Sequence, residues 1–185
     1  MNVYDFDGTV YDGDSTVDFF LYALKCKPGL VRYIPRQAWG FFLYWRRRIG
    51  KTELKEFFFS FLSGIAADKL AENFWDQNQH KIYRWYLDQQ RADDIIISAS
   101  PEFLLKPICR RLKIRHLIAS KVDVHSGKFS GENCHGKEKV QRLAAEYQVT
   151  HIENFYSDSE TDLPLAQIAD CAFLIDNGNL VKWVW

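Results

Sequence analysis

Asp5-Phe6-Asp7-Gly8-Thr9 places two carboxylates two residues apart, where a short β-rich run (residues 2–6) meets a turn signal. Side chains alternate along extended backbone, so Asp5 and Asp7 point to one side. Like charges that close are costly unless a cation neutralises them or one takes a proton. A second acid pair, Asp158 and Asp162, occupies a strand-to-helix junction in Asp158-Ser-Glu-Thr-Asp162. Singly, the first pair also reads as an Asx-turn closing a strand, and the second as a helix N-cap with first-turn acids. Carboxylate oxygens without a His or Cys cluster suit Mg²⁺, which takes one or two carboxylates, waters and a substrate phosphate. Ser98 follows an apolar run and either faces a ligand or caps a helix opening at Pro101. Lys139 falls near a helix start, where the dipole disfavours a cation, and a solvated surface lysine is its alternative reading.

The elements that must hold these groups come in two grammars. After the first strand, residues 15 to about 91 read as almost entirely helical. One helix follows Pro35, with Ala38, Phe41, Phe42 and Trp45 on one side and Arg36 and Arg47 opposite; another starts near Thr52, and a third spans 66–90. From residue 94 strands and helices alternate. Strands are expected at 94–98, 116–120, 152–156 and 171–175, helices at 101–112, 137–147 and 161–168, and a hairpin at 121–130 around Ser126-Gly127. Such alternation predicts an α/β fold with a doubly wound parallel sheet and helices on both faces. A helical insertion after the first strand explains the order. In open α/β sheets ligands bind beyond the carboxyl ends of the strands, which selects Asp5, Asp7, Ser98, Ser157 and Asp158.

An acid pair, a hydroxyl after the second strand, a lysine and a second acid pair, in that order, resemble the four motifs of the haloacid dehalogenase superfamily of aspartate-dependent phosphohydrolases. The matching residues are Asp5-Phe-Asp-Gly-Thr-Val, Ile95-Ile-Ile-Ser98, Lys139 and Ser157-Asp-Ser-Glu-Thr-Asp162. Asp14-Ser15, Ser98-Ala-Ser-Pro101 and Gly136-Lys-Glu-Lys139 look like the phosphoserine-phosphatase-like branch, subfamily IB. Ile118-Ala-Ser120, Gly136-Lys-Glu-Lys-Val140 and Tyr156-Ser-Asp-Ser-Glu-Thr-Asp162 are more similar still to bacterial phosphatidylglycerophosphate phosphatases of that branch. Lys139 is preferred to Lys137 because its distance to Leu143 matches the branch's Lys-x-x-x-Leu. Ala99 and Asp14 depart from the phosphoserine phosphatases, which have glycine and glutamate there.

The resemblance implies a Rossmann-like core of residues 1–14 and 92–185, with residues 15–91 as a small helical cap. It implies Asp5 as the nucleophile that becomes an aspartyl phosphate and Asp7 as the general acid and base. Ser98 and Lys139 would bind phosphate oxygens. Mg²⁺ would be held by Asp5, the Asp7 carbonyl and Asp158, with Asp162 supporting that shell. The expected activity is phosphomonoester hydrolysis, on a lipid phosphate such as phosphatidylglycerophosphate or on a small soluble ester such as phosphoserine or a sugar phosphate. Rival readings are a phospho-acceptor module and a pseudoenzyme that binds membranes or a partner.

Charge and composition narrow the setting. The 185 residues carry 24 bases and 24 acids, a balance that argues against a nucleic-acid partner. The charges are segregated, however: residues 1–18 hold five aspartates and no base, and residues 19–52 hold eight bases and no acid. Segment 19–61 contains 13 of the 29 aromatic residues, so it either packs on itself, contacts an anionic bilayer or meets a protein partner. No apolar run approaches a membrane span, and Cys26, Cys109, Cys134 and Cys171 lack metal or disulfide spacing and read as free core thiols. His135 and the other four histidines read as surface or core residues. These features predict a cytoplasmic protein, free or peripheral to the inner face of the membrane.

Overall fold

Val3 and Tyr4 are neighbours in sequence but lie in different cores, because adjacent side chains of a strand leave on opposite faces of the sheet. The computed structural model describes residues 1–184. Six strands, β1 (Asn2–Tyr4), β2 (Ile95–Pro101), β3 (His116–Ser120), β4 (Ile152–Ser157), β5 (Ala169–Asp176) and β6 (Asn179–Lys182), form one sheet in the order β3-β2-β1-β4-β5-β6. The first five are parallel, and β6 returns antiparallel to β5. The chain leaves β1 towards β2 on one side and comes back from β3 to β4 on the other. The crevice between β1 and β4 is therefore the point where the winding reverses, the usual ligand site of such sheets.

Five helices separate β1 from β2: α1 (Ser15–Cys26), α2 (Ile34–Trp45), α3 (Lys51–Phe59), α4 (Ala67–Asn78) and α5 (Arg84–Gln89). Asp14 starts α1 by accepting from the backbone N–H groups of Thr16 and Val17. Pro35 lies in the first turn of α2, where its missing N–H is harmless. The α2 and α3 helices pack closely because Gly40 faces Phe57; a Cβ at Gly40 would stand 2.4 Å from the Phe57 Cβ. By contrast, α4 and α5 lie on the sheet. Trp75 of α4 meets Phe6 and Tyr11 edge-on and donates its Nε1–H to the Leu104 carbonyl at 2.7 Å. Tyr86 of α5 meets Tyr4 edge-on. They share that face with α6 (Glu102–Arg111), while α7 (Lys137–Tyr147) and α8 (Leu163–Ala166) cover the other. On the first face Tyr4, Tyr156 and Phe173 stack across three strands at centroid distances of 4.5 and 5.0 Å, tying β1, β4 and β5 together.

The doubly wound α/β sheet is as the sequence predicts, but several local details differ. The helix expected over 66–90 is broken at 79–83, because Ile82 bridges to Tyr11 and Tyr83 N–H donates to the Val10 carbonyl. Pairing with the loop after β1 outweighs helix propensity there. The helix expected over 161–168 is a 3₁₀ turn (Glu160–Asp162) followed by the short α8. Only one bridge, Val122 with Phe129, realises the hairpin of 121–130. Strand β1 ends at Tyr4, before the acid pair. The cysteines are free, yet Cys26 is exposed and Cys171 only partly covered, so only Cys109 and Cys134 are core thiols. Among the described residues, no helix is long and apolar enough to cross a membrane.

Candidate active site

Asp5 leaves the end of β1 with its N–H on the Tyr156 carbonyl at 2.9 Å, so it sits level with the end of β4 at the reversal point. Its Oδ1 accepts from Lys139 Nζ at 2.7 Å. Lys139 also donates to Asp162 Oδ2 at 2.6 Å, and Ser157 Oγ donates to the same oxygen at 2.9 Å. Lys139 is 3% exposed, whereas Lys137 is exposed, so only Lys139 reaches the strand ends. Burial pulls its ammonium down, but Asp5 and Asp162 outweigh that and hold it above the ordinary lysine range. Burial raises Asp5 above the usual carboxylate range; Lys139 draws it down, while Asp162 and Asp7 push it up. Among the described residues, no hydrogen bond engages Asp5 Oδ2.

Asp7 is fixed from both α1 and β2. Its Oδ1 accepts from the Ser15 N–H at 2.7 Å, at the first turn of α1, and its Oδ2 from Ser100 Oγ at 2.5 Å. Ser100 Oγ also contacts Thr16 Oγ1 at 2.8 Å. Burial, followed by the charge of Asp14, pushes Asp7 up to about 6, against the hydrogen bonds from Ser100 and Ser15. Ser98 is buried, and its Oγ accepts from the Ser100 N–H at 3.0 Å, which leaves its own proton for another acceptor. That bond, rather than a cap on α6, is the local role of Ser98, since Pro101 begins α6 with no side-chain cap.

Asp158 leaves the end of β4 and lies over Gly8. A Cβ at Gly8, whose φ is +70°, would stand 2.2 Å from Asp158 Oδ2, so glycine is required for both backbone and space. The Asp158 carboxylate has no ion pair among the described residues, and burial raises it above its ordinary value. Asp162 points instead to Lys139 and Ser157, away from direct pairing with Asp158. Among the described residues, no three acidic, His or Cys side chains stand close enough to hold a metal by themselves. A cation here needs a backbone oxygen as well. Asp5 and Asp158, whose carboxylate has no cationic partner among the described residues, offer the oxygen donors that a hard divalent ion prefers.

These groups form the floor of a cavity of about 390 Å³. Asp14 and residues of the helical segment complete it, among them Thr16, Phe41, Lys51, Lys55 and Phe58. Sequence reasoning passed over Ser15, Ser100, Lys51 and Lys55 as site residues and read His135 as an ordinary surface or core residue. Here His135 lines the cavity with Nε2 at 2.5 Å from Lys51 Nζ. The Lys51-x-x-x-Lys55 spacing, one face of a helix, was the available signal. Outside the cavity mouth, α2 exposes a row of aromatics: Trp45 is 74% exposed, Trp39 55% and Phe41 54%.

The haloacid dehalogenase-like hydrolase model matches residues 3–167, most of the chain, including the ends of β1, β2 and β4 that carry the site. The chain belongs to the haloacid dehalogenase-like hydrolases. It is 37% identical over 92 residues to a probable phosphatase of Mycobacterium tuberculosis, covering 45% of this chain and 32% of the relative. The chain thus spans about a third of the length of the curated relatives it matches. A Bordetella pertussis protein described as having unknown function has a similar structure, with a TM-score of 0.70 and 22% identity over 90% of this chain and 85% of that one. A probable phosphoserine phosphatase from Vibrio cholerae gives 0.61 at 13% identity, covering 92% and 55%. A phosphoserine phosphohydrolase-like protein from Francisella tularensis gives 0.55 at 16%, covering 92% and 84%. These likenesses establish the hydrolase fold of the family.

Proposed function

We propose that this hydrolase cleaves phosphomonoesters with Mg²⁺ through an aspartyl phosphate on Asp5, with the part of residues 15–91 that lines the cavity acting as its cap. The observation that carries the reading is the free Oδ2 of Asp5 in a cavity that Asp7, Ser98 and Lys139 also line, while Lys139 holds Oδ1. Asp5 Oδ2 attacks phosphorus as the bond to the ester oxygen breaks, and Asp7 delivers its proton to the departing alkoxide. Asp7 then takes a proton from the water that attacks the aspartyl phosphate, which releases phosphate and restores Asp5. A carboxyl with a pKa near 6 can serve both steps close to neutral pH. Lys139 has a third ammonium proton beyond those given to Asp5 and Asp162, and Ser98 has a free hydroxyl proton; both can meet the equatorial oxygens. An Asp5 oxygen, the Asp7 carbonyl and Asp158 would hold Mg²⁺, with Asp162 supporting through Lys139. The ion would draw charge from the phosphoryl oxygens.

The exposed aromatics of α2 favour a lipid phosphate, such as phosphatidylglycerophosphate, over a soluble ester. Phe41 belongs both to that face and to the cavity wall, and Arg36, Arg46, Arg47 and Arg48 flank the aromatics. Aromatic residues beside arginines suit an anionic bilayer interface. The cavity is also large enough for a small ester such as phosphoserine, which is the second reading. A Mg²⁺-dependent panel of phosphatidylglycerophosphate in mixed micelles, phosphoserine and sugar phosphates, with liposome co-sedimentation alongside, separates them. Lipid turnover with sedimentation on anionic vesicles is expected. Brisk turnover of a soluble ester alone, without sedimentation, would remove the lipid reading, and no phosphate release from any ester would remove the activity itself.

A further inference from the structure

Lys55 is a partly buried ammonium held by neutral partners. Its Nζ donates to the Ala99 carbonyl at 2.8 Å and to Asn133 Oδ1 at 3.0 Å. Asn133 Oδ1 also accepts from Ser120 Oγ at 3.0 Å, so the contact ties α3 to the ends of β2 and β3. An ammonium has three protons, and the protein engages two of them. Lys51 stands one helical turn earlier on the same face, with its Nζ against His135. Among the described residues, neither lysine forms an ion pair with a carboxylate, although five aspartates line the same cavity.

The two hydrogen bonds of Lys55 do not offset its charge. Taking a cation out of water without a counter-ion is unfavourable, and placing a second beside it adds repulsion. Burial, reinforced by Lys51, already pulls Lys55 down to about 8. The phosphoryl group does not need these lysines, because Lys139 and Ser98 face it from the floor and a divalent cation would supply further charge there. Lys51 and Lys55 reach the cavity from α3 of the helical segment, whereas Lys139 and Ser98 reach it from the sheet side.

We infer that Lys51 and Lys55, with His135 beside them, form a second anion subsite, so that the substrate is a phosphomonoester bearing another acidic group on its alcohol side. This rests on the phosphohydrolase reading for the role of the floor. A carboxylate and a phosphodiester share the required chemistry; a simple sugar phosphate lacks it.

The test is titration calorimetry on the full chain with Mg²⁺. The probes are ω-carboxyalkylphosphonates and the corresponding ω-(methylphospho)alkylphosphonates, each against an alkylphosphonate of the same length. The second acid should tighten binding on the order of tenfold or more, and the arm with the larger gain identifies the acid. Lys51→Gln and Lys55→Gln should each shrink that advantage at least threefold, with a larger effect at Lys55. Lys51 is exposed, so Lys51→Gln tests the subsite even if Lys55→Gln perturbs folding. Equal affinity for one-acid and two-acid probes would overturn the inference. So would variants that weaken both kinds of probe equally, since Lys55 would then serve the phosphoryl group. Turnover of p-nitrophenyl phosphate, measured in parallel, reports on the phosphohydrolase reading separately.

Discussion

Replacing Asp7 by asparagine should make the metal-free protein harder to unfold while it removes the proton donor. Asp7 is raised from 3.8 to about 6, first by burial and then by Asp14. At about 1.4 kcal/mol per pH unit, ionising it in the folded chain costs about 3 kcal/mol. The sign follows from proton counts. Between pH 3.8 and 6 the folded chain binds the proton more tightly than the unfolded one, so stability falls as pH rises through that window. Above pH 6 the whole cost is present, and below 3.8 none of it is. Asparagine never ionises. Its Oδ1 can still accept from the Ser15 N–H, and its Nδ2 can donate to Ser100 Oγ. The net gain at pH 7.5 is therefore about 1–3 kcal/mol, which for a chain of this size raises Tm by roughly 3–9 °C. The assay is thermal unfolding followed by circular dichroism in chelator at pH 7.5, 5.0 and 4.0, with the gain about halved at pH 5.0 and nearly gone at 4.0. An unchanged or lower Tm at pH 7.5, or a gain that persists at pH 4.0, would refute the reasoning.

Asp5→Asn should abolish Mg²⁺-dependent phosphate release, by on the order of 10³-fold or more, with the circular dichroism spectrum retained; normal turnover would remove Asp5 as nucleophile. Lys139→Ala should lose both turnover and about 3–5 kcal/mol, because it strands two buried carboxylates, whereas exposed Lys137→Ala should change stability by about 0.5 kcal/mol or less. Chemical denaturation and phosphate release of the two variants decide that order. Gly8→Ala pushes a Cβ against Asp158 Oδ2, so half-saturating Mg²⁺ should rise on the order of tenfold in a metal titration of activity, and an unshifted midpoint would exclude Asp158 as a ligand.

How much could be read beforehand depended on whether a residue's role is set locally. Asp5 and Asp158 directly follow parallel strands and stand in short motifs, so strand pattern and spacing located both at the sheet's carboxyl edge. Lys139 and Leu143, four residues apart, are both buried on one face of α7, which is why that spacing separated Lys139 from Lys137. Ser100, Lys51 and Lys55 were not legible in that way: their partners Asp7, His135 and Asn133 lie 93, 84 and 78 residues away. The break at 79–83 is likewise tertiary, since helix formers there yield to the bridge between Ile82 and Tyr11. Strand β6 had a local sign that went unread. Asn177 and Gly178 both have positive φ, at 48° and 80°, as a tight hairpin turn requires, but the exposed strand behind it has no apolar alternation.

The packing of α2 has a consequence for how this protein can change. Only Gln37 and Gly40 of that helix are buried, and its contacts are chiefly with α3 and the preceding 3₁₀ turn. Its outward side chains are consequently almost free of folding constraint: Trp45→Ser should leave Tm within about 2 °C, read by the same melting assay. Asp5, Asp7 and Asp162 have no such freedom, since each is bonded to residues far away in the chain. Mutation can thus rewrite what approaches the entrance while the chemistry beneath stays intact, so new specificities can arise here without first destabilising the enzyme.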